Sequence, residues 1–92
     1  MERFEWDINK NKANILKHNI DFEIVFEADW KSSLILEDKR IDYGETRFLG
    51  YVPIRKRLYT IIFTYRFDVK RIISVRKAHR KEVAIYEKYR QI

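Results

Sequence analysis

The chain has 92 residues, no cysteine, and 20 Lys and Arg against 14 Asp and Glu, for a net charge of +6. That length makes one domain, 1–92, and the missing cysteines exclude disulfides and thiolate-held metal. Nothing approaches the roughly 20 apolar residues of a membrane span, and Met1-Glu2-Arg3-Phe4-Glu5-Trp6 lacks the apolar run of a signal peptide, so the expected location is the cytoplasm.

Phe4-Glu5-Trp6 reads as a short extended piece. Asp7 is placed to cap a helix over about Ile8–His18, because its carboxylate can accept the free amides of the first turn. Ile8, Ala13, Ile15 and Leu16 give that helix a narrow apolar stripe, and Asn19 suits its left-handed C-cap. Asp21 caps a second short helix whose face is Phe22, Val25 and Phe26. After Trp30 the period changes. Ser33–Glu37 is a strand candidate, and Asp38–Glu45 is a polar connection. Arg47–Ile54 is a second strand with Gly50 and Pro53 inside it, and Arg55-Lys56-Arg57 is a basic turn. Leu58–Arg66 is the strongest strand, rich in β-branched and aromatic residues. Phe67-Asp68 turns it into a strand over Arg71–Arg76. From Lys77 to about Tyr89 the chain reads as helix, with Ala78, Glu82, Ile85 and Tyr89 on one face and Val83 and Tyr86 beside it. The expected fold is α+β: N-terminal helices and a C-terminal helix packed on a three- to four-stranded antiparallel sheet, with one sheet face left open.

Charge is segregated along the chain. Residues 1–46 hold 7 Lys and Arg against 11 Asp and Glu, whereas residues 47–92 hold 13 against 3. The densest basic stretch is Lys70–Lys81. A small domain with a strongly positive surface is suited to a polyanion, most often nucleic acid. Period two puts Leu58, Thr60, Ile62, Thr64 and Arg66 on one face of the long strand and Tyr59, Ile61, Phe63 and Tyr65 on the other, taken as the core side. On the next strand it groups Arg71, Ile73 and Val75 against Ile72, Ser74 and Arg76. Arg66 and Arg76 can each offer a planar donor fork to a phosphate; the competing reading is a salt bridge to Glu45 or Glu82. Lys77, Arg80 and Lys81 are either phosphate contacts or a solvated helix face. His18 sits at a helix C-terminus, which favours its cationic form and suits phosphate binding or proton transfer. Glu82 pairs with an arginine or acts as a base. Trp6 and Trp30 are read as core or partner-contact residues. With two histidines a His-rich zinc site is not expected, and no phosphate loop, paired-carboxylate metal site or nucleophile elbow occurs.

Several segments, taken in order, resemble one known family. They are Phe4-Glu5-Trp6-Asp7 with Lys10 and Asn14, Lys17-His18 with Phe22, and Val25-Phe26 with Asp29. They continue with Gly44-Glu45-Thr46-Arg47 and Gly50, Phe63-Thr64-Tyr65-Arg66, Arg71-Ile72-Ile73-Ser74-Val75-Arg76-Lys77-Ala78, and Glu82 with Tyr86 and Glu87. Together they resemble the BrnT family of toxins nearly end to end. The departures are mild: Asn19 stands where Gly is usual, Val75 replaces a usual Ala, and His79 occupies a variable slot. The resemblance implies a RelE-like fold and a metal-independent ribonuclease toxin of a type II toxin–antitoxin pair that inhibits translation. It implies a BrnA-like antitoxin with a ribbon-helix-helix domain as partner, and autorepression of the promoter, with DNA contacted through the antitoxin. No cofactor is implied.

Metal-independent RNA cleavage needs a base for the 2′-hydroxyl, donors for the phosphorane and a proton for the leaving oxygen. The candidate catalytic residues are Arg66, Arg76, His18 and Glu82; the candidate RNA contacts are Lys17, Arg47, Arg71, Lys77, Arg80 and Lys81. Two other readings stay open: a nucleic-acid-binding module without catalysis, and a protein-interaction domain with a basic face.

Overall fold

The computed structural model describes residues 2–91. Its elements are β1 (Phe4–Trp6), α1 (Ile8–His18), two 3-10 helices (Phe22–Glu27 and Trp30–Ser32), β2 (Leu34–Asp38), β3 (Arg47–Ile54), β4 (Arg57–Arg66), β5 (Val69–Lys77) and α2 (Arg80–Arg90). The sheet order is β1-β5-β4-β3-β2. Strands β2 to β5 form the expected antiparallel meander, and β1 adds a fifth strand parallel to β5, with Phe4 opposite Lys70 and Trp6 opposite Ile72. Among the described residues no helix is long and apolar enough to cross a membrane.

Local chemistry sets several boundaries. The Asp7 carboxylate accepts the Asn9 N–H at 2.7 Å and opens α1, and Asn19 closes it in the left-handed region at φ 57°. Both tight hairpins place two consecutive residues at positive φ, Arg55 and Lys56 at 49° and 67°, Phe67 and Asp68 at 51° and 67°. Paired positive φ values match the right-handed twist of the flanking strands, although neither turn contains glycine. Asp21 caps the segment after α1, but Phe22–Glu27 is a 3-10 helix and not an α-helix. Three residues per turn align Phe22 with Val25, so both are buried, while Phe26 points outward.

The core lies on one face of the sheet. Val52, Ile54, Tyr59, Ile61, Phe63, Ile72 and Val75 meet Ile20, Phe22 and Val25 from the segment after α1. Trp30 stands edge-on to Phe63 at 5.6 Å and Phe4 stacks on Trp30 at 5.7 Å, so the tryptophans are core residues. The expected core side of β4 holds for Tyr59, Ile61 and Phe63; Tyr65 is half exposed at the strand end.

Three expectations change. The register shifts between Ile62 and Phe63, with Ser74 opposite the first and Ile72 opposite the second, so Ile73 is an extra residue in β5. This bulge switches the phase of the strand: Ile72 and Val75 both point into the core, and Arg71 and Arg76, separated by strict alternation, share the open face. In α1 the apolar stripe faces outward, Leu16 being 89% exposed, and the one buried residue is Asn14. Its amide donates to Val75 C=O at 2.9 Å and to Ile20 C=O at 3.0 Å, and it accepts the Val75 N–H at 3.1 Å. Beyond Trp6 that edge of β5 has no strand partner, and Asn14 supplies the bonds a strand would make. Finally, α2 starts three residues later than its periodicity suggests, because β5 runs on to Lys77 and Ala78 N–H donates to Leu58 C=O at 3.0 Å. The helix lies across one end of the second sheet face. It turns Glu82, Val83 and Tyr86 inward and leaves Ile85 and Tyr89 half exposed.

Candidate functional site

The second face of the sheet is only partly covered. Its register sets Tyr51, Thr60 and Arg76 side by side across β3, β4 and β5. The first turn of α2 lowers Glu82 onto this row. One carboxylate oxygen accepts Arg76 Nη1–H at 2.7 Å, the Thr60 hydroxyl at 3.0 Å and the His79 backbone N–H at 2.8 Å; the other accepts Arg76 Nη2–H at 2.9 Å. Burial alone would raise the Glu82 carboxyl, but these bonds outweigh it and hold it at about 2. Glu82 is therefore an ionised anchor for Arg76 and a poor proton acceptor. Of the two roles open to it from sequence, the geometry supports pairing. Arg76 Nη1 also donates to Lys77 C=O at 3.4 Å, and the Nε–H and outer Nη2 hydrogen remain outside these bonds.

His18, at the end of α1, lines a shallow hollow with Lys10, Asn14, Lys17, Ile73 and Ser74. Ser74 is two residues from Arg76 on β5. The expected cationic imidazole is not what this setting favours. Burial lowers the His18 pKa, and the positive charges of Lys17, Arg76 and His79 lower it further. Burial and the neighbouring cations thus both favour the neutral imidazole, the form that can accept a proton.

The remaining cations fall into distinct settings. Arg71 pairs with Glu5 of β1, and Arg47 pairs with Glu45 while its guanidinium lies 4.1 Å from the Tyr43 ring centre. Lys70 begins the basic stretch but points into the core face. It is 3% exposed, with Nζ 3.7 Å from the Trp30 ring centre and 2.8 Å from Glu2. Lys17, Arg66, Lys77, Arg80 and Lys81 are exposed and make no ion pair among the described residues. Arg66 shares the open face with Arg76 but stands at the far hairpin, opposite Val69, whereas Arg76 pairs with Thr60. Six residues of strand separate Thr60 from Arg66, about 20 Å. The structure brings Arg76 and Glu82 into contact, sets His18 within electrostatic reach of Arg76 and leaves Arg66 apart. Among the described residues no three His, Asp or Glu side chains converge as a cation site.

Sequence reasoning missed Tyr51 and Thr60, which complete the row under α2. Neither carries a local signal, since each is an ordinary strand residue until the register places it beside Arg76. Burial raises the Tyr51 hydroxyl, the Glu82 charge adds to that, and Arg76 and Arg40 oppose it.

Three comparisons bear on this arrangement. No curated protein sequence matches the chain. The crystal structure of the Brucella abortus ribonuclease toxin BrnT superposes with a TM-score of 0.62 at 22% identity, covering 87% of this chain and 100% of that one. The shared feature at this identity is the fold, helices on an antiparallel sheet. The family profile described as the ribonuclease toxin BrnT of type II toxin–antitoxin systems matches residues 6–82, from Trp6 of β1 to the Glu82 that anchors Arg76. That span is most of the chain, and the protein belongs to the BrnT family of ribonuclease toxins.

Proposed function

We propose that this protein cleaves RNA without a metal ion at the corner of the open sheet face that holds the Arg76–Glu82 pair, with His18 within electrostatic reach of Arg76. The observation that carries the reading is the Arg76 fork. A carboxylate that is itself fixed by Thr60 and the His79 amide holds it, Nη1 also donates to Lys77 C=O, and the Nε–H and outer Nη2–H are left for a phosphate. Donors fixed before the reaction stabilise developing charge without reorganising at that moment. His18 takes the proton of the 2′-hydroxyl, the 2′-oxygen bonds to phosphorus and the bond to the 5′-oxygen breaks. Water returns a proton to that oxygen, leaving a 2′,3′-cyclic phosphate and a free 5′-hydroxyl. Arg76 neutralises the equatorial oxygens, and Glu82 positions Arg76. Lys17, Arg66, Arg71, Lys77, Arg80 and Lys81 track the strand away from the scissile phosphate.

The cognate antitoxin, a BrnA-like protein with a ribbon-helix-helix domain, covers this basic face, and it carries the promoter contacts of the repressing complex. Family membership supports a type II partner and an RNA substrate. RNA binding by the complex should be far weaker than by the free toxin; equal affinity sinks this part.

Purified protein should cut RNA in the presence of a chelator. Removing one fixed donor by Arg76→Ala should slow single-turnover cleavage about a hundred- to thousand-fold. The pH–rate profile should rise along an acid limb centred below the ordinary histidine value, because the base must be neutral and its pKa is lowered. His18→Ala should flatten that limb. Full activity of both variants would put the site elsewhere.

A further inference from the structure

The connection between β2 and β3 carries an arginine mounted in the same way as Arg76. Leu34, Leu36 and Asp38 of β2 pair with Tyr51, Leu49 and Arg47, which puts Asp38 at the edge of the open face. The Asp38 side chain is 1% exposed. It accepts Arg40 Nε–H and Nη2–H, both at 2.8 Å, the Arg40 backbone N–H at 3.2 Å and the Tyr43 hydroxyl at 3.4 Å. The Arg40 side chain above it is 66% exposed. A buried carboxylate thus fixes an exposed guanidinium whose Nη1 makes no hydrogen bond among the described residues. Arg47 lies over the Tyr43 ring, whose hydroxyl donates to the same Asp38 carboxylate, so the second arginine stands beside the first.

Position relative to Arg76 matters. Asp38 lies three strands away and four residues along, so strand spacing and rise put the two Cα atoms about 20 Å apart. That is too far for both forks to grip one phosphate, yet the Tyr51 hydroxyl lies within electrostatic reach of Arg76 and Arg40 alike. Arg55 gives the contrast. It is equally exposed and paired with Glu27, but Asp21 and Glu23 line the same hollow and would repel an anion.

We propose that Arg40, with Arg47 beside it, forms a second phosphate subsite that holds the RNA strand away from the bond being cut. The proposal rests on the reading that the open face cleaves RNA. A planar fork held along its Nε/Nη2 edge by a carboxylate presents its Nη1/Nη2 end in a fixed direction, which suits a phosphate oxygen. A dinucleotide bound at Arg76 is too short to reach this subsite; a longer strand reaches it.

The test compares wild type, Arg40→Ala and Arg40→Lys on a dinucleotide and on a longer single-stranded RNA. With Arg40→Ala, kcat/KM for the longer RNA should fall roughly 10- to 100-fold, while the dinucleotide is cleaved as by wild type. Arg40→Lys should restore part of the loss. Binding of a 2′-O-methyl form of the longer RNA should lose about 0.7 from its log–log salt slope, the effect of one phosphate contact on a single strand. Equal loss on both substrates would reduce Arg40 to a scaffold role and overturn the subsite; so would no loss with an unchanged slope. If wild type cleaves neither substrate, the ribonuclease reading fails on its own. The salt slope of the uncleavable strand then decides the subsite, an unchanged slope in Arg40→Ala overturning it.

Discussion

On the core face of the sheet, the cation Lys70 is enclosed by Trp30, Phe63 and Glu2. On the opposite face, Arg76 and Arg40 are each held by a carboxylate with part of the guanidinium turned to solvent. All three are ion-paired, and their consequences differ. Lys70 has every direction filled, so its charge serves the fold. The arginines are fixed but unfilled, so theirs is available to an anion. In these three pairs the burial differs in the same sense: Glu2 is the more exposed member of its pair, whereas Asp38 and Glu82 are the more buried members of theirs.

The largest expected effect tests the two faces directly. Phe63→Ala removes a fully buried ring stacked on Phe48 and edge-on to Trp30 and should cost about 3–5 kcal/mol in denaturant unfolding. Ile62→Ala, the next residue on the half-covered face, should cost roughly 1 kcal/mol. Equal costs would mean that the open face is packed in solution.

Asn14→Leu comes next. It keeps the branched shape of the side chain and deletes three buried hydrogen bonds, leaving the Val75 N–H without its Asn14 partner. A loss of about 2–3 kcal/mol is expected. Hydrogen exchange at Val75 should accelerate more than at Ile61 in the core; uniform acceleration would argue against Asn14 as a strand surrogate.

Acid should act on the open face through Glu82. Its folded pKa, about 2, lies below its ordinary value, so the unfolded chain binds the proton first. The stabilisation is complete above the ordinary carboxylate range and is lost as pH falls toward 2. It should amount to about 1–2 kcal/mol, less than the full shift because the pair borders solvent. Glu82→Gln should be less stable at pH 7 and show a shallower acid dependence; an unchanged acid limb would assign it to Asp38, held low in the same way by Arg40.

The smallest effect belongs to Lys70→Met. A flexible apolar chain fills the same space under Trp30, and Glu2 returns to water. Stability should change by no more than about 1 kcal/mol in either direction, as for other ion pairs replaced by apolar groups, and RNA affinity should be unchanged. A marked fall in RNA affinity would erase the distinction between the two kinds of cation.

The local features were legible in the sequence. Asp7 and Asn19 bound α1 at Ile8 and His18, and the two hairpins fall at Arg55-Lys56 and Phe67-Asp68. The long aromatic strand buries Tyr59, Ile61 and Phe63. Caps, turns and alternation act through residues at most four positions apart, so a linear reading finds them. The pairing of Arg76 with Glu82 was also within reach, six residues apart, although it stood beside Arg66 and Glu45 as an equal alternative. Tertiary structure alone decided the parallel pairing of β1 with β5, the bulge at Ile73 and the inward turn of Lys70. It alone brought Asn14 to Val75 and Thr60 beneath Glu82. A one-residue bulge reverses the face of every residue beyond it, and a strand edge takes whatever partner comes from elsewhere in the chain. Those outcomes depend on contacts as distant as 68 residues, between Glu2 and Lys70, and no local period encodes them.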